Sequence, residues 1–226
     1  MLTILIGRAK TGKSDTMLRR MAELGESSQQ ILLVPEHASH QAEVDVCSAC
    51  GDTASRHAEV LSFRRLGERV LSITGGIADV TLDNGGKLLT LQRALLETAP
   101  QMTVYRKPSQ KVGFLEQMLA LFDELRSYEV TPEILYQQAQ DIDGATHNKL
   151  TDLSLLYAAY EARLRRPGLD ARDRMTKLCD HLEESRYVRD KDIFIDGFTY
   201  FNAQERRALA IFLRQARSVT VTLLGE

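Results

Sequence analysis

Cysteine is scarce in this chain: Cys47, Cys50 and Cys179 are the only three among 226 residues. Three scattered thiols do not make a disulfide framework, so a reducing compartment is the expected setting. Charge imbalance is missing as well. The 29 Lys and Arg stand against 31 Asp and Glu, leaving a net charge of −2. No global basic field draws the chain to nucleic acid, and any such contact needs a local patch. No apolar run approaches the ~20 residues that cross a membrane, and the opening Met1 to Ile6 is too short for a signal peptide. Repeats and low-complexity segments are absent. The chain reads as a cytoplasmic globular protein with no membrane partner.

What is present begins at once. Leu2 to Ile6 reads as an apolar strand and runs into Gly7-Arg8-Ala9-Lys10-Thr11-Gly12-Lys13-Ser14. This is the phosphate-loop pattern G-x-x-x-x-G-K-[ST], followed by a helical pattern from about Lys13 to Leu24. In such a loop the backbone N–H groups turn toward a phosphate chain, Lys13 reaches the outer phosphates, and the Ser14 hydroxyl can hold Mg²⁺. Strand before and helix after is the context the motif requires. The chemistry points to ATP with Mg²⁺.

Further short strands are expected at Ile31 to Val34, Val60 to Ser62, Ile193 to Asp196 and Val219 to Leu224. Helical patterns lie between them, through Leu66, Val70 and Leu71 and from Ala203 to Gln215. Strand, crossover helix and parallel strand make an α/β doubly wound sheet. From about Gly86 to Leu182 the apolar residues recur at helical spacing only, as in Phe114, Leu115, Met118, Leu119, Phe122 and Leu125, and in Leu153, Leu156, Tyr157, Tyr160 and Leu164. The expected organisation is therefore an α/β domain made of residues 1–85 and 186–226, with an all-helical subdomain, 86–185, inserted in it. Because Val219 to Glu226 ends directly after a strand pattern, a fragment of a larger protein is expected.

A phosphate loop needs an acidic partner. The stretch Asp192-Ile193-Phe194-Ile195-Asp196-Gly197-Phe198 is an apolar strand ending in Asp196, the expected second Mg²⁺ ligand. Hydrolases of this type commonly follow that aspartate with a glutamate that deprotonates the attacking water. Here Gly197 stands in its place and has no base to offer. Glu205 is the nearest downstream carboxylate and could serve only by folding back. Nucleotide binding is expected, hydrolysis is not, and Gly197→Glu is the obvious restoring change.

Six stretches then carry a resemblance: the phosphate loop, Leu32 to Glu43, Val60 to Leu71, Asp152 to Leu164, Leu169 to Leu178 and Phe194 to Glu205. In this order they resemble the N-terminal part of the AddB (RexB) family, one of the two protein types that make up bacterial ATP-dependent helicase–nucleases. The resemblance implies a RecA-like, superfamily-1 helicase module interrupted by a helical subdomain, serving the repair of DNA double-strand breaks by recombination. It implies an AddA-type partner that supplies the motor, single- and double-stranded DNA as further partners, and a nuclease domain with an iron–sulfur cluster in a C-terminal region that these residues do not include. Single-strand contacts are implied at Pro35 to Ser39, Ser62 to Arg65 and Phe198. Within them His37, Ser39, Phe63, Arg64, Arg65 and Phe198 offer stacking faces and phosphate partners. His37 stands where relatives carry Gln, and Arg64 where they carry Ser, which adds a positive charge beside the strand path.

Other features invite other readings. His37, His40, Cys47 and Cys50 have ligand types that suit zinc, but their six-residue gap is shorter than common fingers use. Cys179 lies in an apolar helical stretch and reads as core, while His147 and His181 have no evident partners. Two alternatives to the helicase-like module stay open: a free-standing P-loop NTPase or small-molecule kinase, and an architectural module that has lost its nucleotide.

Overall fold

A computed structural model of the chain describes residues 1–75, 82–107, 113–165 and 174–225. Leu169 to Asp173, part of one motif above, lie outside them. The chain divides into two compact units, Met1–Ile77 with Asp173–Glu226, and Ala78–Arg172.

The first unit is built on five parallel strands: β1 (Leu2–Gly7), β2 (Gln30–Leu33), β3 (Ala58–Leu61), β4 (Asp192–Ile195) and β5 (Ser218–Leu224). They lie in the order β1-β5-β4-β2-β3. Helices α1 (Lys13–Leu24) and α2 (Ser39–Cys50) follow β1 and β2, and α3 (Phe63–Thr74) follows β3. Strand side chains alternate between two layers, as pleating dictates. Leu32, Val60 and Phe194 meet Met17, Met21 and Val46 on the α1/α2 face. Ile31, Leu33, Ile193 and Ile195 meet Leu66, Val70 and, from α9 (Ala203–Gln215), Ile211 and Phe212 on the other. The chain steps one way across the sheet from β1 to β3 and back from β4 to β5. With right-handed crossovers this places the two helix sets on opposite faces.

Helix α8 (Arg174–Ser185) corrects the expected domain boundary. Its Leu178, Cys179 and Leu182 are buried in the sheet unit's core beside Leu66 and Val70. The helix belongs to the sheet unit rather than to the inserted block. His181 also has a partner, its Nδ1 lying 3.0 Å from the Thr74 hydroxyl.

At the amino end of β4, Asp192 is buried and accepts hydrogen bonds from Ser28, Ser218 and Arg217. Burial alone would raise this carboxyl, but the bonds from Arg217, Ser218 and Ser28 outweigh it and hold the pKa below its ordinary 3.8. A folded-state pKa depressed in this way adds stability above the unfolded value, and the increment is lost as pH falls through the folded value. Asp192→Asn should therefore lower stability at neutral pH and flatten its acid limb below about pH 4. Urea unfolding at stepped pH reads this directly, and an unaltered acid limb would rule the residue out.

The second unit contains α4 (Asn84–Thr98), α5 (Phe114–Ser127), α6 (Pro132–Gln140) and α7 (Ala145–Leu164), and none of its described residues forms a strand. The two apolar stripes form its core, with Phe122 stacked on Tyr157 at 4.6 Å between ring centroids. Asp152, at 2% exposure, accepts from the backbone N–H groups of Thr103, Val104 and Tyr105 at 3.0, 2.7 and 2.9 Å. His147 is held through Nδ1, 2.7 Å from the Ala139 carbonyl.

Candidate nucleotide and nucleic-acid site

The carboxyl ends of all five parallel strands lie along one edge of the sheet, where ligands of open α/β folds bind. The phosphate loop leaves β1 there and enters α1 at Lys13. Lys10 and Gly12 are both left-handed, with φ of 60° and 78°. Gly7 is packed so closely that a Cβ on it would stand 2.8 Å from the Thr11 hydroxyl. That hydroxyl donates to the Arg8 carbonyl at 2.8 Å. The Lys13 ammonium donates to the carbonyls of Gly7 and Arg8 at 2.7 and 2.6 Å, so it is held against its own loop. Arg8, Ala9, Lys10, Thr11 and Ser14 are exposed. The loop thus presents open backbone, an exposed Ser14 and a lysine held against it.

Asp196 follows β4, and both β4 and β1 pair with β5. Two inter-strand spacings separate them, about 10 Å. One Asp196 carboxylate oxygen accepts from the Thr222 hydroxyl of β5, and the other has no partner among the described residues. A serine hydroxyl and a carboxylate oxygen are the hard ligands that Mg²⁺ prefers.

Gly197 explains its own identity. Its φ is +80°, and a Cβ built on it would lie 3.3 Å from Cδ and 3.7 Å from Cγ of Pro35. The neighbour is a proline ring, which cannot swing aside. Glutamate is thus disfavoured by the backbone at this position. Glu205 is committed as well. It accepts from the Asn202 N–H at 2.9 Å while its own N–H donates to Asn202 Oδ1 at 2.8 Å, a reciprocal cap on α9.

Where the crossover direction reverses, between β4 and β2, a crevice of about 530 Å³ opens. Pro35, Glu36, His37, Ser62, Phe63, Arg64, Phe198 and Tyr200 are among its lining residues. The expected contacts divide here. His37 is exposed, and Phe198 is half-buried against Phe201, with ring centroids 5.0 Å apart. Phe63 is only 8% exposed, edge-on to Phe198 at 5.7 Å, and so belongs to the core rather than to a stacking surface. Ser39 is buried at the start of α2 and does not line the crevice. Arg65 turns to a second groove along β3, where it meets Glu43 at 2.5 Å.

Arg64 is in the crevice but engaged. Its Nε and Nη2 donate to Glu36 Oε1 at 3.0 and 2.5 Å, and its Nη1 to Glu68 at 2.8 Å. Ser62 donates to the other Glu36 oxygen. Hydrogen bonds from Arg64 and then Ser62 hold the Glu36 carboxyl below the usual carboxylate range. Tyr200 was missed from sequence, and Glu36 lay inside the implied Pro35 to Ser39 segment without being singled out. Tyr200 is 70% exposed, and its place in a turn just before a helix cap was the available signal. His37, His40, Cys47 and Cys50 do not converge: among the described residues no three His, Cys, Asp or Glu side chains could share a metal ion.

The model of the AddB N-terminal family matches residues 4–226. The chain belongs to the AddB N-terminal family. Curated relatives align with it over 98–100% of its length. The chain is 31% identical, over its whole length, to the B-type subunit of the ATP-dependent helicase/deoxyribonuclease of Clostridium kluyveri. It is 30% identical, over 98% of its length, to the protein of the same name in Clostridioides difficile, and 32% identical, again over 98%, to that of Thermoanaerobacter sp.. This AddB-type chain spans about 20% of the length of these relatives. No described helix is long and apolar enough to cross a membrane.

Proposed function

We propose that the sheet unit is a RecA-like P-loop module that holds ATP with Mg²⁺ and a single strand of DNA without acting as a motor. The observation that carries this reading is Gly197, because the position expected to hold the water-activating base has no side chain and disfavours one, while the loop and Asp196 stand along one sheet edge. Backbone N–H groups of Gly7 to Ser14 cradle the phosphates, and Lys13 leaves its loop carbonyls for the outer ones. Ser14 and Asp196 hold Mg²⁺. Within the crevice Tyr200 is the stacking platform, Phe198 flanks it, and Phe63 supports Phe198 from below. The whole AddB-type protein then works beside an AddA-type helicase in the cytoplasm, on broken double-stranded DNA destined for recombinational repair. Nuclease chemistry and an iron–sulfur cluster are assigned to the remainder of such a protein.

Titration with a fluorescent ATP analogue tests the nucleotide half. The 226-residue chain should bind it, Lys13→Ala should weaken binding by roughly tenfold or more, and neither should turn ATP over. Turnover at helicase rates would sink the reading, and so would equal binding by the variant. For the strand half, Tyr200→Ala should cost about 1–3 kcal/mol of single-strand affinity and leave thermal stability unchanged.

A further inference from the structure

We propose that Ser62 and Arg64 form a subsite for one phosphodiester of a bound single strand, and that Glu36 occupies this subsite as a displaceable surrogate in the free protein. The inference rests on the single-strand reading above. Its ground is the way two donors converge. The Ser62 hydroxyl and the Arg64 guanidinium reach different oxygens of one carboxylate. A carboxylate and a phosphodiester offer a guanidinium the same pair of anionic acceptors, so donors arranged for one suit the other.

Three further observations make Glu36 a stand-in rather than a structural anchor. Its side chain is 51% exposed and that of Arg64 48%, and ion pairs this open contribute little to folding. Arg64 keeps a second carboxylate, Glu68, one helical turn away, so Glu36 can leave without stranding the cation. Glu36 also stands in a short 3₁₀ turn after β2, outside sheet and α-helix. The bonds that lower its pKa keep it anionic at neutral pH, so it stays in competition with an incoming strand. On the same crevice wall Tyr200 is free to take a base while the adjoining phosphate meets Ser62 and Arg64.

The test is fluorescence anisotropy of a labelled oligothymidylate against the 226-residue chain over a range of salt. Glu36→Gln should bind about three- to tenfold more tightly with a similar log–log salt slope, because Arg64 meets the same phosphate in both proteins once Glu36 is displaced. Adding Arg64→Gln should abolish that gain, while Arg64→Gln alone should cost less than it does beside Glu36→Gln. Glu184→Gln at an exposed position of α8 removes a negative charge elsewhere and should leave the affinity where it was. A gain from that control equal to the gain from Glu36→Gln would overturn the proposal, as would wild-type binding that Glu36→Gln does not alter. No oligonucleotide binding by any variant would overturn the single-strand reading itself. Inorganic phosphate at matched ionic strength separates two sources of one chemistry. The gain should survive it, and its loss would assign the subsite to free phosphate instead.

Discussion

Gly197→Glu is expected to leave hydrolysis silent and to destabilise the sheet unit by about 1–3 kcal/mol. From sequence this substitution looks like a repair. In the structure, φ of +80° lies in the region that disfavours every L side chain, and Cβ would press on Pro35 at 3.3 Å. The adjoining Asp196 N–H is tied to the Leu33 carbonyl at 3.0 Å, so relieving the contact would pull on the junction of β2 and β4. Gly197→Ala carries the same backbone cost without the charge and should lose most of the same stability. Chemical unfolding of both variants, with an ATPase assay, decides the matter. Restored turnover at undiminished stability would show that the position was merely vacated.

Asp152→Ala should cost more, about 3–5 kcal/mol. One carboxylate at 2% exposure satisfies three consecutive N–H groups, Thr103 to Tyr105, and lies within 3.4 Å of the Thr103 hydroxyl. Alanine leaves those donors without an acceptor beside the packed Phe122–Tyr157 core. Asp152→Asn keeps one carbonyl oxygen and should recover part of the loss. Thermal and urea unfolding of the two variants gives the comparison, and equal losses would show that volume rather than hydrogen bonding sets the cost. Asp152 opens one of the stretches that mark the family, yet its task is to hold a backbone segment in place.

What could be read from the sequence was local. The bounds of α1 and α9 follow from apolar spacing and come out at Lys13–Leu24 and Ala203–Gln215. β3 begins at Ala58, earlier than the apolar run at Val60 indicated, and ends before Ser62, which caps α3. Long-range choices were hidden. Periodicity marks the apolar stripe of α8 but not which core receives it, hence the misplaced boundary. A strand pattern says nothing about its neighbours, so β1 at the sheet margin was not foreseeable. Arg64 and Arg65 look free in sequence because Glu36 and Glu43 stand 28 and 22 residues away. Phe63 and Tyr200 could not be sorted by residue type, since burial decides which ring meets solvent. The Asp196-Gly197 pair was a legible turn signal and its missing side chain was plain, whereas the contact that disfavours a side chain there, with Pro35, was not legible.

The margin strand bears on how this polypeptide behaves in concentrated solution. β1 pairs only with β5 among the described strands, and Leu2, Ile4 and Ile6 on it are 50, 48 and 67% exposed. Its sequence, Leu-Thr-Ile-Leu-Ile-Gly, holds no lysine, proline or inward charge of the kind that blunts a free edge. Isolated from any covering element, such a strand is a template for intermolecular pairing. Among the described residues β1 is therefore the expected site of intermolecular pairing, and Ile4→Lys is expected to reduce association of the 226-residue chain.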